Sequence, residues 1–161
     1  MVERAIYVIT GVMASGKSTV AEALARKLDK CVHLRGDIFR RMIVTGRQEM
    51  CENPSKEALR QLDMRYSIAA KVAIEYYNNG FTVVVQDNFL EQKLSYFVDL
   101  LKPCPTYVIV LNPDIETIKK REQMRDKKGY IGFTVESLYK TFIEETPNEI
   151  LKRAGNEAKY R

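Results

Sequence analysis

The stretch from Ile6 to Leu24, IYVITGVMASGKSTVAEAL, decides how the rest of the chain is interpreted. An apolar run stops at Gly11, and after four further residues Gly16 is followed by Lys-Ser-Thr. Apolar side chains then recur every four residues, at Val20, Leu24 and Leu28. This order predicts a buried strand, a tight loop and an amphipathic helix.

The loop Gly11–Ser18 matches the pattern G-x-x-x-x-G-K-[ST] at every fixed position. Glycines let such a loop turn its N–H groups toward phosphate oxygens, and the helix that follows adds its positive N-terminal end. Lys17 can then reach the terminal phosphates of ATP, and Ser18 can bind Mg²⁺. The alternative is a chance loop, which the strand and helix on either side make the weaker interpretation. The predicted nucleotide-binding residues are Gly11, Met13, Ala14, Ser15, Gly16, Lys17, Ser18 and Thr19, of which Thr19 either touches an inner phosphate or simply begins the helix.

Composition indicates an ordinary globular protein. The chain has 161 residues, 45% hydrophobic and 29% charged, which suits a single domain over residues 1–161. The apolar runs are too short to cross a bilayer, and the N-terminal residues lack a signal-like apolar stretch, so we expect no membrane contact and a cytoplasmic location. Three cysteines without a CxxC pair also suit a reducing compartment. The net charge of +5 fits anionic ligands such as nucleotides without arguing for nucleic acid.

Strand-like and helix-like segments alternate along the chain. The predicted strands, which lack clean alternation and are therefore expected to be covered on both faces, are Ala5–Thr10, Cys31–Leu34, Phe81–Gln86 and Thr106–Leu111. Asn112 is expected to cap a helix that runs towards Arg125, and Thr134 a last helix that ends near Pro147. The alternation predicts an α/β fold with a parallel sheet between helices, a three-layer arrangement.

Asp87 follows the third predicted strand, next to the first. Because the ends of parallel strands converge on one crevice, this carboxylate could hold a water of the Mg²⁺ shell or orient an acceptor. The alternative is a loop aspartate that forms a turn with Asn88.

A second carboxylate, Asp37, follows Gly36 at the end of the second strand. It could accept a hydroxyl proton as the γ-phosphoryl group leaves ATP. Arg40, one helical turn further on, could bind an anionic acceptor or the phosphoryl group in transfer. The alternative is that Asp37 caps a helix and forms a salt bridge with Arg40.

A basic segment at residues 119–133 could act as a lid. Arg121 and Arg125 lie one turn apart and could neutralise charge on the transferring group, with Gly129 and Gly132 as hinges. The alternative is that basic residues favour any helix C-terminus, and we accept it for Lys119, Lys120, Lys127 and Lys128. The single histidine, His33, fits a core or sheet-edge residue better than a ligand.

On these residues the chain resembles the small P-loop kinases related to nucleoside-monophosphate kinases, and within them the chloramphenicol phosphotransferase-like proteins. The likeness rests on Gly11–Thr19, Asp37 and the stretch Asp87–Leu90. It implies that Asp37 is the base and that the strand order is 2-3-1-4, with a fifth strand after the lid helix. That strand is not evident, because residues 148–161 are polar and helix-like. Residues 41–65 also contain no antibiotic-specific motif.

Three functions follow, in order of preference. The first is an ATP- and Mg²⁺-dependent kinase acting on a hydroxyl of a small molecule. The second is a polynucleotide 5′-hydroxyl kinase, because the Gly36-Asp37-x-x-Arg40 pattern is also similar to polynucleotide 5′-kinases and adenylylsulfate kinases. Its basic groove would use Arg40, Arg41, Arg47, Arg60 and Arg65. The third is a nucleotide-hydrolysing switch, for which no Asn-Lys-x-Asp motif is present. The sequence leaves the acceptor, the preference for ATP over GTP and the oligomeric state open.

Overall fold

A computed structural model describes residues 3–89, 92–126 and 132–145. Its strands are β1 (Ile6–Thr10), β2 (Cys31–Arg35), β3 (Thr82–Gln86) and β4 (Thr106–Val110). Its helices are α1 (Lys17–Lys27), α2 (Asp37–Arg41), α3 (Lys56–Asn78), α4 (Lys93–Leu100), α5 (Ile115–Gln123) and α6 (Val135–Glu145).

The strands form one parallel sheet in the order β2-β3-β1-β4, which confirms the predicted order 2-3-1-4. Four strands are present in the described ranges. The described ranges leave out residues 127–131 and those beyond 145. The predictions for Lys127, Lys128, Gly129, Leu90 and the region around Pro147 therefore lie outside the described residues.

The central strands carry the core. Val83, Val84 and Val85 of β3 are fully buried, and successive side chains point to opposite faces of the sheet. Val83 and Val85 pack in the cluster that includes Tyr66 of α3, whereas Val84 packs with Ala21 of α1. This alternation builds the three layers.

The edge strands depart from the expectation of cover on both faces. Only Leu34 of β2 and Val110 of β4 are buried, and Tyr107 of β4 is 48% exposed. An edge strand has one neighbour instead of two, so the flanking helices cover less of its surface.

Two helix starts show how local chemistry fixes the boundaries. Thr134 caps α6 as predicted, since its Oγ1 accepts a hydrogen bond of 3.0 Å from the N–H of Ser137. The prediction for Asn112 is wrong: the N-cap of α5 is Asp114, whose carboxylate accepts from the N–H of Thr117 at 2.9 Å. A side-chain acceptor at that position satisfies an otherwise unpaired N–H group. Helix α5 also ends earlier than expected, at Gln123.

Of the described helices, none is apolar over a length that would cross a bilayer.

Candidate active site

A cleft of about 750 Å³ lies where the loops after β1, β2 and β3 meet. Carboxyl ends of parallel strands are the usual place for ligands in such sheets. The predicted site residues that line the cleft are Met13, Ala14, Gly16, Lys17, Ser18, Thr19, Asp37, Arg40, Asp87, Arg121 and Arg125. Gly11 and Ser15 do not line it, and both are buried within the loop.

The loop after β1 has a backbone that few sequences can adopt. Gly11 has φ +151°, and a Cβ atom there would lie 2.6 Å from the carbonyl oxygen of Leu111 and 2.7 Å from Ser15 Oγ. Ala14 has φ +64° and Gly16 has φ +98°. A left-handed conformation costs a non-glycine residue roughly 1–2 kcal/mol, so Ala14 is held there by its surroundings.

The ammonium group of Lys17 turns back onto its own loop. Its Nζ donates to the carbonyl oxygen of Val12 at 2.7 Å and to Ser15 Oγ at 3.5 Å. Burial lowers the pKa of Lys17 to about 7; the charge of Asp87 opposes this shift and that of Arg125 adds to it. A buried lysine with few countercharges is suited to an anionic ligand.

Ser18 and Asp87 supply the oxygen atoms that Mg²⁺ prefers. One Asp87 oxygen, Oδ2, is buried without a hydrogen-bond partner among the described residues. The same ranges contain no cluster of three or more His, Cys, Asp or Glu side chains suited to a metal. These residues therefore fit an ion held chiefly by phosphates and water, as Mg²⁺ usually is in nucleotide sites.

Asp87 also forms a buried ion pair that the sequence analysis missed. Arg65 of α3 donates to Asp87 Oδ1 at 3.0 Å, and the two side chains are 12% and 5% exposed. Burial raises the pKa of Asp87, and the charge of Arg65 opposes that shift. The N–H of Asn88 donates to Asp87 Oδ1 at 2.7 Å, but residues 87–89 do not form the turn that the alternative for Asp87 expected. The sequence contained one indication of this pair, because Arg65 is a charged residue beside Tyr66 on the buried face of α3.

Gly36 makes room for this pair. A Cβ atom on Gly36 would lie 2.1 Å from Asp87 Oδ2 and 2.8 Å from its Cγ, although the backbone of Gly36 is in the ordinary helical region. The absence of a side chain at Gly36 thus brings the end of β2 against the end of β3.

Asp37 is the first residue of α2, and the N-cap is Gly36, so the capping alternative for Asp37 is wrong. The salt-bridge alternative is present: Asp37 accepts from Arg40 Nε at 2.8 Å and from Arg41 Nε at 2.6 Å. Burial acts to raise the pKa of Asp37, but the hydrogen bonds and charges of the two arginines lower it below its ordinary value. Asp37 is therefore ionised at neutral pH.

Arg40 has a second partner, which sequence reasoning also missed. Its Nη1 donates to both carboxylate oxygens of Glu49, at 2.6 and 2.7 Å. Arg47 pairs with the same carboxylate at 3.0 Å. The side of the cleft that carries Asp37, Arg40 and Glu49 is thus a network of alternating charges. Glu49 lies in a stretch without sequence periodicity, so nothing local indicated this contact.

The basic end of α5 lies against the phosphate loop. Arg121 Nη1 donates to the carbonyl oxygen of Ser15 at 3.1 Å and to that of Ala14 at 3.5 Å. Arg125 donates to the buried carboxylate of Glu122 at 3.2 Å. Gly132, one of the two predicted hinges, has φ +78°. Lys119 forms ion pairs on the surface, as expected of a solvated helix face.

Fold and loop together define a protein of the P-loop kinase-like type. Residues 6–138 match the family AAA_33, described as an AAA domain, and the chain belongs to this family. No curated protein matches the chain in sequence.

Solved structures share the fold. A chain from the Pnkp1/Rnl/Hen1 RNA repair complex matches with a TM-score of 0.67 and 18% identity, over 89% of this chain but 46% of that chain, so our chain spans about half its length. A sugar kinase from Janibacter sp. HTCC2649 has a TM-score of 0.64 and 17% identity, over 94% and 92% of the two chains. A gluconokinase from Sinorhizobium meliloti 1021 has a TM-score of 0.57 and 19% identity, over 96% and 79%. The closer likeness to chloramphenicol phosphotransferase-like proteins stays a prediction.

Proposed function

We propose that the protein is an ATP- and Mg²⁺-dependent phosphotransferase that moves the γ-phosphoryl group to a hydroxyl of a small molecule. The observation that carries this proposal is the composition of the cleft. One wall is the phosphate loop with Lys17 and Ser18, and another is the Asp37–Arg40 pair. A phosphoryl donor and a hydroxyl acceptor need these two kinds of wall in one cavity.

In the proposed reaction, one phosphoryl group and one proton leave their original atoms, and each has a defined acceptor. The acceptor oxygen forms a bond to the γ-phosphorus, the bond to the β–γ bridging oxygen breaks, and that oxygen leaves on ADP with the electron pair. Asp37 takes the hydroxyl proton. Since Arg40 and Arg41 lower its pKa, an acceptor that displaces one of these arginines would make Asp37 a stronger base.

The cations around the donor have separate roles in this proposal. Lys17 would move from Val12 and Ser15 onto the terminal phosphates, and Arg121 and Arg125 would neutralise charge that develops on the transferring group. Bound Mg²⁺ supplies charge neutralisation on the β- and γ-phosphates, and Ser18 and Asp87 are the residues that would hold it.

A polynucleotide 5′-hydroxyl kinase is the second candidate. It is favoured by the arginines that line the acceptor side, Arg35, Arg40, Arg41 and Arg65, and by the likeness in fold to a chain of an RNA repair complex. We rank it second because carboxylates compensate three of these charges: Asp37 pairs with Arg40 and Arg41, and Asp87 with Arg65. A wall so neutralised attracts a polyanionic strand weakly.

One experiment separates the candidates. The protein is incubated with Mg·ATP and a panel of hydroxyl-bearing metabolites and antibiotics, with 5′-hydroxyl oligonucleotides, or with no acceptor. Mass spectrometry then detects the gain of one phosphoryl group. We expect transfer to a small molecule. Transfer to oligonucleotides alone would favour the second candidate, and ATP hydrolysis that is equally fast without any acceptor would indicate a nucleotide-hydrolysing switch.

A further inference from the structure

The hydroxyl of Ser18 is connected to three polar side chains behind the phosphate loop. Gln86 Nε2 lies 2.8 Å from Ser18 Oγ, and Gln86 Oε1 lies 2.9 Å from His33 Nε2. The other ring nitrogen of His33, Nδ1, lies 2.9 Å from Glu22 Oε2. We refer to Ser18, Gln86, His33 and Glu22 as the Ser18 relay.

The sheet register brings the relay together. His33 of β2 pairs with Val84 of β3, and Gln86 lies two residues after Val84. His33 and Gln86 are therefore diagonal neighbours on the face that packs against α1, because side chains two residues apart share a face. Helix α1 contributes both ends of the relay, Ser18 in its first turn and Glu22 one turn later.

The carboxylate of Glu22, at one end of the relay, determines where the hydrogens of the relay lie. Ionised Glu22 can only accept, so His33 Nδ1 carries a hydrogen. When the ring is neutral, His33 Nε2 is then a bare acceptor and needs a donor, which the amide nitrogen of Gln86 can provide. The amide oxygen of Gln86 then faces Ser18 and accepts its O–H. The lone pairs of Ser18 Oγ are left for the cleft.

Protonation of His33 reverses the relay. His33 Nε2 then donates to the amide oxygen of Gln86, and the amide nitrogen donates to Ser18 Oγ, so the hydroxyl hydrogen of Ser18 has to point elsewhere. Exchanging the oxygen and nitrogen of the Gln86 amide leaves both contact distances unchanged, so both arrangements fit the same backbone. With neutral His33, both lone pairs of Ser18 Oγ are available to the cleft. With protonated His33, one of these lone pairs accepts the hydrogen bond from Gln86.

We propose that Gln86 and His33 are positioning residues that decide whether Ser18 presents lone pairs or its hydrogen to a nucleotide-bound Mg²⁺. A divalent cation binds oxygen lone pairs, so the arrangement with neutral His33 favours Mg²⁺ and the reversed one opposes it. The inference rests on the proposed function in assigning Ser18 to the metal. It adds two residues to the site, of which Gln86 lines the cleft and His33 does not.

Within the described ranges, two arginines and one thiol lie near Glu22 and His33. Arg26 of α1 lies 2.8 Å from Glu22, and Arg35 of β2 lies 4.0 Å from it. The thiol of Cys31 is on the same face of β2, two residues before His33, and burial raises its pKa, so it stays neutral. Glu22 is thus the acidic group that contacts the ring, and the hydrogen bond from His33 and the charge of Arg26 lower its pKa.

The test compares Mg·ATP binding with binding of ATP in excess chelator, at about pH 8 and at about pH 5.5. The measured quantity is the factor by which Mg²⁺ increases the affinity for ATP. For the wild type we expect this factor to be smaller at the lower pH, on the order of tenfold, which corresponds to about one hydrogen bond. In Gln86→Met the Ser18 hydroxyl rotates freely, so this difference disappears. Lys17 titrates in the same range, but its effect is common to both proteins.

Gln61→Met is the matched control. Gln61 also lines the cleft through a bridging amide, which accepts from the N–H of Gln48 at 2.9 Å and donates to Gly46 at 2.9 Å, but it is not in the relay. This variant should keep the wild-type pH dependence of the Mg²⁺ effect. Thermal unfolding of both variants establishes that they are folded.

A second readout needs no variant. His33 is the one histidine of the chain, so its ring ¹⁵N signals can be followed directly by NMR. With Mg·ATP bound, we expect the neutral ring to carry its hydrogen on Nδ1, because Nδ1 faces the carboxylate of Glu22. A neutral ring with its hydrogen on Nε2 would overturn the relay. Absence of nucleotide binding at every pH would instead contradict the proposed function.

Discussion

The two sides of the cleft are built in different ways. The nucleotide side is one continuous segment, Gly11–Thr19, shaped by backbone conformations at positive φ. The acceptor side is assembled from three separate segments that contribute Asp37, Glu49 and Arg65. The first is made mainly of N–H groups and one ammonium, and the second of ion pairs between side chains.

This difference bears on specificity. A loop of backbone N–H groups recognises any phosphate chain of the right length, and it needs no partner from elsewhere in the sequence. The charges of pairs such as Asp37–Arg40 and Asp87–Arg65 already compensate each other, so an acceptor has to compete with them. We therefore expect substitutions on the nucleotide side to slow transfer most, and the acceptor side to select the substrate in addition to supplying the base.

The largest effect is expected on the nucleotide side. Lys17→Ala removes the ammonium that would stabilise charge on the terminal phosphates, so phosphoryl transfer should fall by about 10³-fold. The free energy of unfolding should not decrease, because burial already disfavours the charged form of Lys17. Transfer is followed by mass spectrometry and stability by thermal unfolding. Full transfer by this folded variant would refute the assignment of the loop.

On the acceptor side, Asp37→Asn tests the base. The amide cannot take the hydroxyl proton, so transfer should slow by about 10²-fold while Mg·ATP binding stays near that of the wild type. Calorimetry measures binding, and the transfer assay measures the rate. An unchanged rate would mean that Asp37 only holds Arg40 and Arg41 in place.

Gly36→Ala tests how tightly the two strand ends are fitted. The added Cβ would meet Asp87 Oδ2 at 2.1 Å, so the variant should lose about 1–3 kcal/mol of unfolding free energy in a urea titration. In an Asp87→Ala background Oδ2 and Cγ are gone and only the Cβ of residue 87 remains, at 3.2 Å, so the same substitution should cost at least about 1 kcal/mol less than in the wild type. Equal costs in both backgrounds would show that another contact limits this position.

Arg121→Ala sharpens the role of α5. The guanidinium contacts the loop carbonyl oxygens of Ala14 and Ser15, so its loss should slow transfer by about tenfold without affecting the fold. Lys120→Ala removes a neighbouring charge outside the cleft wall and is expected to leave the rate unchanged. If both variants slow transfer equally, the overall positive charge of the helix end is responsible.

The smallest expected effect is the uptake of a proton when the nucleotide binds. Above about pH 7 the buried Lys17 is mainly neutral, because burial lowers its pKa to about 7. A phosphate beside it favours the ammonium form, so nucleotide binding at about pH 8 should take up nearly one proton, and less below about pH 6. Calorimetry in two buffers of different ionisation enthalpy measures this uptake. Lys17→Met should show none.

Much of the fold could be predicted because its signals are local. The strand order agrees with the likeness to P-loop kinases, and the buried runs around Val8 and Val84 carry the central strands. Predictions that depended on one residue were less accurate. Asn112 and Asp114 are both common caps, and only the conformation of the chain decides which carboxyl or amide oxygen meets a free N–H group.

By itself, the sequence determined the phosphate loop, since each of its requirements is met within eight consecutive residues, Gly11–Ser18. Only the tertiary structure decided that Arg65 pairs with Asp87, that Glu49 holds Arg40, and that the amide of Gln86 contacts the hydroxyl of Ser18. The physical reason is separation along the chain. A glycine turn follows from the conformational freedom of single residues, whereas an ion pair or an amide bridge exists only where packing brings distant side chains together.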